Sequence, residues 1–198
     1  MPTGVAIRDA RDQLLDAAER VLLRDGPNAL TSRAVTTEAG CAKGVLHRHF
    51  AEFDAFLAEL VLNRVALIEG QATALRASAG TGTVADNIAR TLTDLFGSVA
   101  VAIVGLIISR DDLRARLRRT TPTGIPLLTE ATAMIASYLT AERELGRIAD
   151  ADVDTLAPTL IGAGHLLFAD RKGAPPESGA VDKVVASVIA GVVREQQP

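Results

Sequence analysis

Two short segments with helical spacing meet at Gly40, and no other feature limits the fold of the N-terminal part as much. Thr31 or Ser32 can cap a first short helix, and Gly40 supplies the left-handed residue that ends it. A second short helix is predicted from about Ala42 to His49. Two short helices joined by about three to four residues that include a glycine describe a helix-turn-helix.

Amphipathic helices are predicted on both sides of this motif. The first runs from Asp12 to the Gly26-Pro27 pair, with apolar residues at helical spacing. Six further helices follow, all long except the third, at Asp54–Arg76, Val84–Ser109, Asp111–Arg119, Leu127–Glu144, Asp154–Asp170 and Gly179–Glu195. The sequence therefore predicts an all-α fold of about nine helices, with a three-helix domain in residues 1–50 and a larger helical domain in residues 51–198.

Composition agrees with this fold class and narrows the chemistry. Aromatic residues make up 3% of the chain and hydrophobic residues 48%, which favours packed helices over sheets. The single cysteine, Cys41, excludes an internal disulfide and a cysteine-rich metal site, so a cytoplasmic setting is expected. The net charge of −3 excludes a polycation, but within residues 31–50 Arg33, Lys43 and Arg48 oppose only Glu38.

No membrane segment is expected. The charged N-terminus, with Arg8, Asp9 and Arg11, lacks the basic-then-apolar order of a signal peptide. The most apolar stretch, Leu95–Ile108, is too short to cross a bilayer comfortably, so it is interpreted as a buried core helix.

The stretch from Leu30 to Phe50 closely resembles the DNA-binding signature of the TetR family of bacterial regulators. The resemblance rests on the Ala39-Gly40 turn, the Lys43-Gly44 pair and the closing His49-Phe50, all at matching spacing. It implies a protein that binds double-stranded operator DNA, takes up a small-molecule effector and forms a homodimer through its last two long helices. The residues expected to contact DNA are Thr31, Ser32, Arg33, Lys43, Gly44, Val45, His47 and Arg48.

Four positions depart from the family pattern. Ala42 stands where the family usually has a capping serine, Val45 where it has threonine, His47 where it has tyrosine, and Phe53 where it has lysine. The operator sequence therefore cannot be carried over. These departures keep a second reading open, that of a dimeric small-molecule-binding helical protein whose DNA binding is weakened or repurposed.

An effector pocket is expected between helices of the larger domain, the usual place for ligand sites in helical bundles. The alternative interpretation of each candidate is ordinary core packing. For His165 the alternative is a role in the core or in an interface. The candidate pocket residues are Arg64, Leu92, Phe96, Ile103, Ile107, Met134, Tyr138 and His165.

Metal, cofactor and catalytic sites are not predicted. His47 and His49 are two residues apart and so face different sides of a helix. No nucleophile with a nearby base, phosphate loop or metal-ligand spacing is found, so the chain is not expected to be an enzyme. The basic run of Arg114, Arg116, Arg118 and Arg119 is interpreted as a solvated face, and the alternative is a position near the DNA-binding domain, where it would relay motion.

The last two predicted helices carry small residues that allow close helix packing. These are Gly162, Ala163 and Gly164 on one helix, and Ala186, Ala190 and Gly191 on the other. In a two-fold dimer, the two recognition helices lie about 34–36 Å apart, or a multiple of that spacing, and read a palindromic operator. The expected mechanism is repression that an effector relieves.

Overall fold

The computed structural model describes residues 8–169 and 174–193, and over these residues the chain forms ten α-helices. A short 3₁₀ turn, Pro27–Ala29, lies between the first two. The helices are α1 (Arg8–Asp25), α2 (Ser32–Glu38), α3 (Gly44–His49), α4 (Phe53–Ala77), α5 (Val84–Phe96), α6 (Ala100–Ser109), α7 (Asp111–Leu117), α8 (Leu128–Glu144), α9 (Val153–Ala169) and α10 (Ala180–Ile189). The predicted all-α class is confirmed.

The three-helix N-terminal arrangement forms because α1 has one strongly apolar side. α1 packs against both α2 and α3, which also pack against each other. The buried residues of α1 include Leu14, Leu15, Ala18, Val21 and Leu22. Their burial removes a continuous apolar stripe from water, which is the main source of helix stability in a folded protein.

The prediction of one unbroken helix from Val84 to Ser109 is wrong. Residues 97–99 form a turn between α5 and α6, so residues 8–169 and 174–193 contain ten helices where about nine were expected for the chain. The hydroxyl of Ser98 donates to the carbonyl of Leu95 at 2.6 Å and accepts from the backbone N–H of Ala100 at 3.3 Å. A serine beside Gly97 thus gives the backbone other hydrogen-bond partners, and Gly-Ser pairs are frequent sites of helix breaks.

The remaining helices follow the predicted order. α7 ends at Leu117, two residues before the expected end. The expected end of α9, at Asp170, lies outside the described residues. The expected end of α10 at Glu195 is wrong, because α10 ends at Ile189 and residues 190–192 form a turn that leads into the bridge of Val193. Ile148 and Val193 form an isolated antiparallel bridge, and it is the one β-type pairing in the part of the chain that the structure covers.

The chain divides into two compact units. The first, called here the N-terminal unit, contains residues up to Asn63 together with Ala102–Thr123. The second, called the larger unit, contains Arg64–Val101 and the chain from Gly124 onward. α4 and α6 each contribute residues to both units. The predicted domain boundary at residue 50 stays a prediction, because compact packing does not show which segment folds independently.

The larger unit is built around α5, α8, α9 and α10. α9 packs against α5, α8 and α10, and α10 packs also against α5. No single helix within residues 8–169 and 174–193 is long and apolar enough to span a membrane, and α5 and α6 reach those limits only if the broken pair is taken together.

Candidate nucleic-acid interface

The turn before the recognition helix depends on the backbone of Gly40. This residue has a φ of 65°, in the left-handed region that disfavours residues with a side chain. Its N–H donates to the carbonyl of Thr37 at 3.1 Å, and the N–H of Cys41 donates to that of Thr36 at 3.0 Å. These two bonds are the Schellman pattern that closes a helix, so α2 ends here and the chain turns toward α3.

α2 begins with a capped and partly exposed first turn. Thr31, rather than Ser32, is the cap, because its hydroxyl accepts from the N–H of Ala34 at 3.1 Å. Thr31 and Arg33 are exposed, whereas Ser32 is half-buried and its hydroxyl oxygen is buried without a partner. The first turn of α2 therefore presents Thr31 and Arg33 to the surroundings.

α3 buries one side and exposes its charged side. Leu46 is fully buried, and Val45 is half-buried. The exposed residues are Lys43, Gly44, His47 and Arg48. Lys43, rather than Ala42, occupies the N-cap position, and it makes no side-chain capping bond. Lys43, Gly44, His47 and Arg48 thus share the exposed side of α3, while contact with DNA stays a prediction for all the expected contact residues.

Two arginines of α1 hold the end of α2 through Glu38. Nε of Arg20 and Nη1 of Arg24 each lie 2.8 Å from a different carboxylate oxygen of Glu38. The hydrogen bonds from Arg24 and then from Arg20 hold the pKa of this carboxyl below its usual range. Because both arginines are largely exposed, the pairs orient α2 more than they stabilise the fold.

The end of α3 lies in an aromatic cluster. Phe50 is buried, as expected for a core residue, and its ring meets that of Phe56 edge-on at 5.0 Å. The guanidinium of Arg11 lies 4.9 Å from the centre of the Phe50 ring and also pairs with the carboxylate of Glu59 on α4. α1, the end of α3 and α4 are therefore joined at one point.

Arg110, between α6 and α7, reaches the helix-turn-helix, and sequence reasoning missed it. Its Nη2 donates to the carbonyl oxygen of Leu30, just before α2, at 2.9 Å. The guanidinium also lies 5.7 Å from the centre of the Phe53 ring and 3.9 Å from the carboxylate of Asp54. The one available signal was the position of Arg110 as the first charge after the apolar stretch of α6.

The basic run of α7 is only partly a solvated face. Nη2 of Arg116 donates to Glu52, which precedes α4, at 2.6 Å. Arg114 instead pairs within its own helix, with Asp111. Arg118 and Arg119 are exposed, as the sequence interpretation has it.

The structure divides the predicted pocket residues between the two units. Ile103 and Ile107 belong to the N-terminal unit, where both are buried. The others belong to the larger unit. There Leu92, Phe96, Met134 and Tyr138 are buried, and Arg64 and His165 are half-buried. Their role as an effector pocket stays a prediction.

Leu92, Phe96 and His165 meet around Gly164. The His165 ring packs edge-on against Phe96, with ring centres 5.8 Å apart. A Cβ atom placed on Gly164 would lie 3.0 Å from the Phe96 ring and 3.3 Å from Leu92. Partial burial keeps the pKa of His165 below its usual value. This part of the larger unit is closely packed and leaves no room beside Gly164.

Tyr138 belongs to a separate polar network, which includes three residues that the sequence did not single out. Nδ2 of Asn87 donates to the hydroxyl of Tyr138 at 3.0 Å, and the carboxylate of Glu142 is fully buried. Burial, followed by the hydrogen bond with Glu142, raises the pKa of Tyr138 above its usual range. Arg147 pairs with Glu142 at 3.2 Å. A tyrosine among apolar neighbours predicts burial, but its partner Asn87 comes from a distant segment.

A surface cleft of about 190 Å³ lies between α4 and α5 in the larger unit. None of the predicted pocket residues lines it. Its walls are Gln71, Ala74, Leu75, Ser78, Asn87, Arg90, Thr91 and Asp94.

Comparison with known proteins assigns the N-terminal part of the chain to a family. Residues 14–60 match the family model described as bacterial regulatory proteins, tetR family. These residues form a TetR-family N-terminal domain. The match covers α2, the Gly40 turn and α3, so the resemblance drawn from the Leu30–Phe50 stretch is confirmed. No curated protein sequence matches the chain.

Solved structures extend the likeness to the whole fold. E. coli NemR in its reduced form matches with a TM-score of 0.74 at 16% identity, covering 96% of this chain and 100% of that one. A putative TetR-family regulator from Mesorhizobium loti matches with a TM-score of 0.70 at 17% identity, covering 94% and 98%. NalD, the secondary repressor of the MexAB-OprM multidrug efflux pump of Pseudomonas aeruginosa, matches with a TM-score of 0.65 at 18% identity. The match covers 95% of this chain and 98% of NalD. The chain has the fold of TetR-family transcriptional regulators, a family of DNA-binding proteins rather than enzymes.

Proposed function

We propose that this protein is a ligand-responsive repressor that binds palindromic operator DNA as a homodimer in the cytoplasm and is released by a small-molecule effector. The observation that carries the proposal is the exposed cationic surface of α3. Lys43, Gly44, His47 and Arg48 are exposed on a short helix whose opposite side is anchored by buried Leu46. Such a helix has the size and charge to enter a major groove.

Thr31 and Arg33 extend this surface at the start of α2. Side-chain donors at the start of such a helix contact phosphates, which fix the register of a protein on the duplex. Val45 and Gly44 present little bulk, and a valine methyl is suited to contact with a thymine methyl. We assign base contacts to Lys43, Val45 and Arg48, and contacts with the DNA backbone to Thr31, Arg33 and His47. Ser32 stays a predicted contact residue although its hydroxyl oxygen is buried.

The homodimer is proposed to form through α9 and α10. Leu166 on α9 is 76% exposed, the most exposed large hydrophobic side chain among the described residues. Gly162 is exposed one turn before it, and Ala186 and Ala190 are exposed on α10. A surface with one protruding leucine and small neighbours suits self-complementary packing across a two-fold axis. Replacing Leu166 with Glu is expected to produce monomers, as measured by sedimentation.

Release by an effector requires that ligand binding favour a state with lower DNA affinity. A coupling free energy of about 1–3 kcal/mol changes operator affinity by roughly 5–150-fold. α4 and α6 each have residues in both units, and α4, the longer of the two, is proposed to carry this coupling. The effector is proposed to bind in the larger unit, where six of the predicted pocket residues lie: Arg64, Leu92, Phe96, Met134, Tyr138 and His165. For Ile103 and Ile107, which belong to the N-terminal unit, a pocket role stays a prediction.

The test begins with selection of genomic DNA fragments that the purified protein retains. The affinity for a selected fragment is then measured against salt concentration for the wild type, Lys43→Ala, Arg48→Ala and the control Arg90→Ala, which alters an exposed arginine on α5. The two α3 variants are expected to weaken binding by about 1–3 kcal/mol, and a lost phosphate contact lowers the salt slope by about 1. Equal affinities in all four proteins would contradict the proposal.

A second candidate function follows from the N-terminus of α3. Lys43 caps this helix without a side-chain hydrogen bond, so its first turn lacks the stabilisation that a serine would give. A dimeric small-molecule-binding protein with weakened DNA binding fits that observation. It predicts that a well-folded dimer retains no DNA fragment selectively.

A further inference from the structure

We infer that Arg110 is a positioning residue for operator binding, which fixes the start of α2 relative to the start of α4. The inference rests on the proposed function. Arg110 lies between α6 and α7, outside α3, and its guanidinium makes three contacts. One is the hydrogen bond to Leu30, and the others are the contacts with the Phe53 ring and the Asp54 carboxylate.

The backbone on both sides of Arg110 belongs to helices, so the position of its Cα atom is fixed. Ser109 is the last residue of α6, and the carbonyl of Arg110 accepts from the N–H of Arg114 at 3.0 Å, which starts α7. Leu113, in the first turn of α7, is fully buried. α6 also approaches the turn before α2, because a Cβ atom on Gly105 would lie 3.9 Å from Cγ of Pro27.

The carbonyl of Leu30 marks where the chain enters α2. Leu30 itself is fully buried, and Thr31 caps the helix immediately after it. A charged donor on this carbonyl therefore limits the tilt of α2. Since α2 and α3 are joined by the short Gly40 turn, a change in the first turn of α2 is carried to Lys43 and Arg48.

The Phe53 ring explains why residue 110 is an arginine rather than a lysine. At this position the resembled family usually has lysine, and here the aromatic ring instead provides a face for the Arg110 guanidinium. The planar guanidinium can donate to Leu30 in its plane while its face lies over a ring, which an ammonium cannot do. Phe53, one of the four departures from the family pattern, is thus the contact partner of Arg110.

The experiment compares Arg110→Ala and Arg110→Lys with a matched control, Arg114→Ala. Arg114 is similarly exposed, lies four residues away and bonds only to Ile108 and Asp111 in its own neighbourhood. Full-length proteins are compared for hydrogen exchange in residues 30–39 and for affinity toward a selected genomic fragment. Thermal unfolding confirms that each variant is folded.

Arg110→Ala is expected to speed exchange at Ala34 and Val35 about tenfold and to weaken DNA binding about tenfold, which corresponds to about 1.4 kcal/mol. Arg110→Lys keeps the charge, and it is expected to bind DNA at most about threefold more tightly than Arg110→Ala. Arg114→Ala is expected to change neither measurement by more than about twofold.

Two results would overturn the inference. Full recovery of affinity by Arg110→Lys would mean that only the net charge matters, and unchanged exchange in Arg110→Ala would mean that the hydrogen bond does not hold α2. If Arg110→Ala does not fold, Arg110→Lys carries both measurements. If the wild type binds no DNA selectively, the proposed function fails, whereas the exchange measurement still decides whether Arg110 holds α2.

Discussion

Nη1 of Arg147 lies 3.2 Å from a carboxylate oxygen of Glu142, whose side chain is completely removed from water. The same carboxylate accepts from the backbone N–H of Gly80 at 3.3 Å. A buried charge is tolerated only when it is paired and hydrogen-bonded, so both partners are needed. Because Arg147 also donates to the carbonyl of Gly82, the pair holds the loop between α4 and α5 to the end of α8.

Replacing Arg147 with Met is expected to lower the free energy of unfolding by about 3 kcal/mol, because it leaves the Glu142 carboxylate buried without its counter-ion. Arg143→Met is the control. Arg143 pairs at 3.7 Å with Asp150, whose side chain is 99% exposed, so its loss is expected to be under about 1 kcal/mol. Urea unfolding measures both, and equal losses would show that burial does not strengthen the Glu142 pair.

Replacing Gly40 with Ala is expected to destabilise the protein by about 1–2 kcal/mol, because the residue must keep a positive φ. Space is not the reason, since nothing lies within 4 Å of an added Cβ. Gly40→Asn, which tolerates this conformation, is expected to lose less. Thermal or urea unfolding decides, and an alanine variant as stable as the wild type would refute the role given to the turn.

Gly44 provides the opposite case on the same motif. It lies in α3 with nothing within 4 Å of an added Cβ, so Gly44→Ala is expected to stabilise the isolated protein by about 0.5–1 kcal/mol. If α3 approaches DNA as proposed, the added methyl group lowers affinity for a selected fragment. Unfolding and DNA-binding measurements on one variant therefore separate the two effects, and unchanged affinity would place Gly44 away from the DNA.

Much of the N-terminal unit was predictable because its determinants are local. The Gly40 turn, the capping of α2 and the apolar spacing of α1 each depend on residues within a few positions, which is the range that sequence patterns report. The break at residues 97–99 was missed although it is also local. The apolar residues around it mask the Gly97-Ser98 pair, and apolar spacing alone does not distinguish one helix from two.

The contacts that organise the site were not predictable, because they join distant segments. Arg110 and Leu30 are eighty residues apart, and Asn87 and Tyr138 are fifty-one apart. Nothing in the spacing near Arg110 indicates which carbonyl it reaches. The sequence pattern of α7 likewise does not distinguish Arg116, which reaches Glu52, from Arg114, which pairs within its own helix.

Gly164 and Gly162 differ in surroundings although both lie on α9. A methyl group on Gly164 would meet the Phe96 ring at 3.0 Å, whereas nothing lies within 4 Å of one on Gly162. Gly164→Ala is therefore expected to destabilise the protein by about 1–3 kcal/mol through overpacking. Gly162→Ala is expected to be neutral or stabilising in dilute protein. Urea unfolding compares them, and the reverse order would contradict the packing described around Leu92 and Phe96.

His165 is expected to make stability depend on pH below neutrality. Burial lowers its pKa in the folded protein from the ordinary value of 6.5, so the unfolded chain binds more protons near that pH. The contribution of the neutral ring to the free energy of unfolding is therefore fully present above about pH 6.5. It falls as the pH drops from there to the pKa of the folded protein, and below that pKa the loss no longer grows. Because the ring is half exposed, we expect a loss below about 1 kcal/mol. The free energy of unfolding is measured from pH 7.5 to 5 for the wild type and His165→Gln. The variant should show a shallower decline, and parallel curves would assign the dependence to other groups.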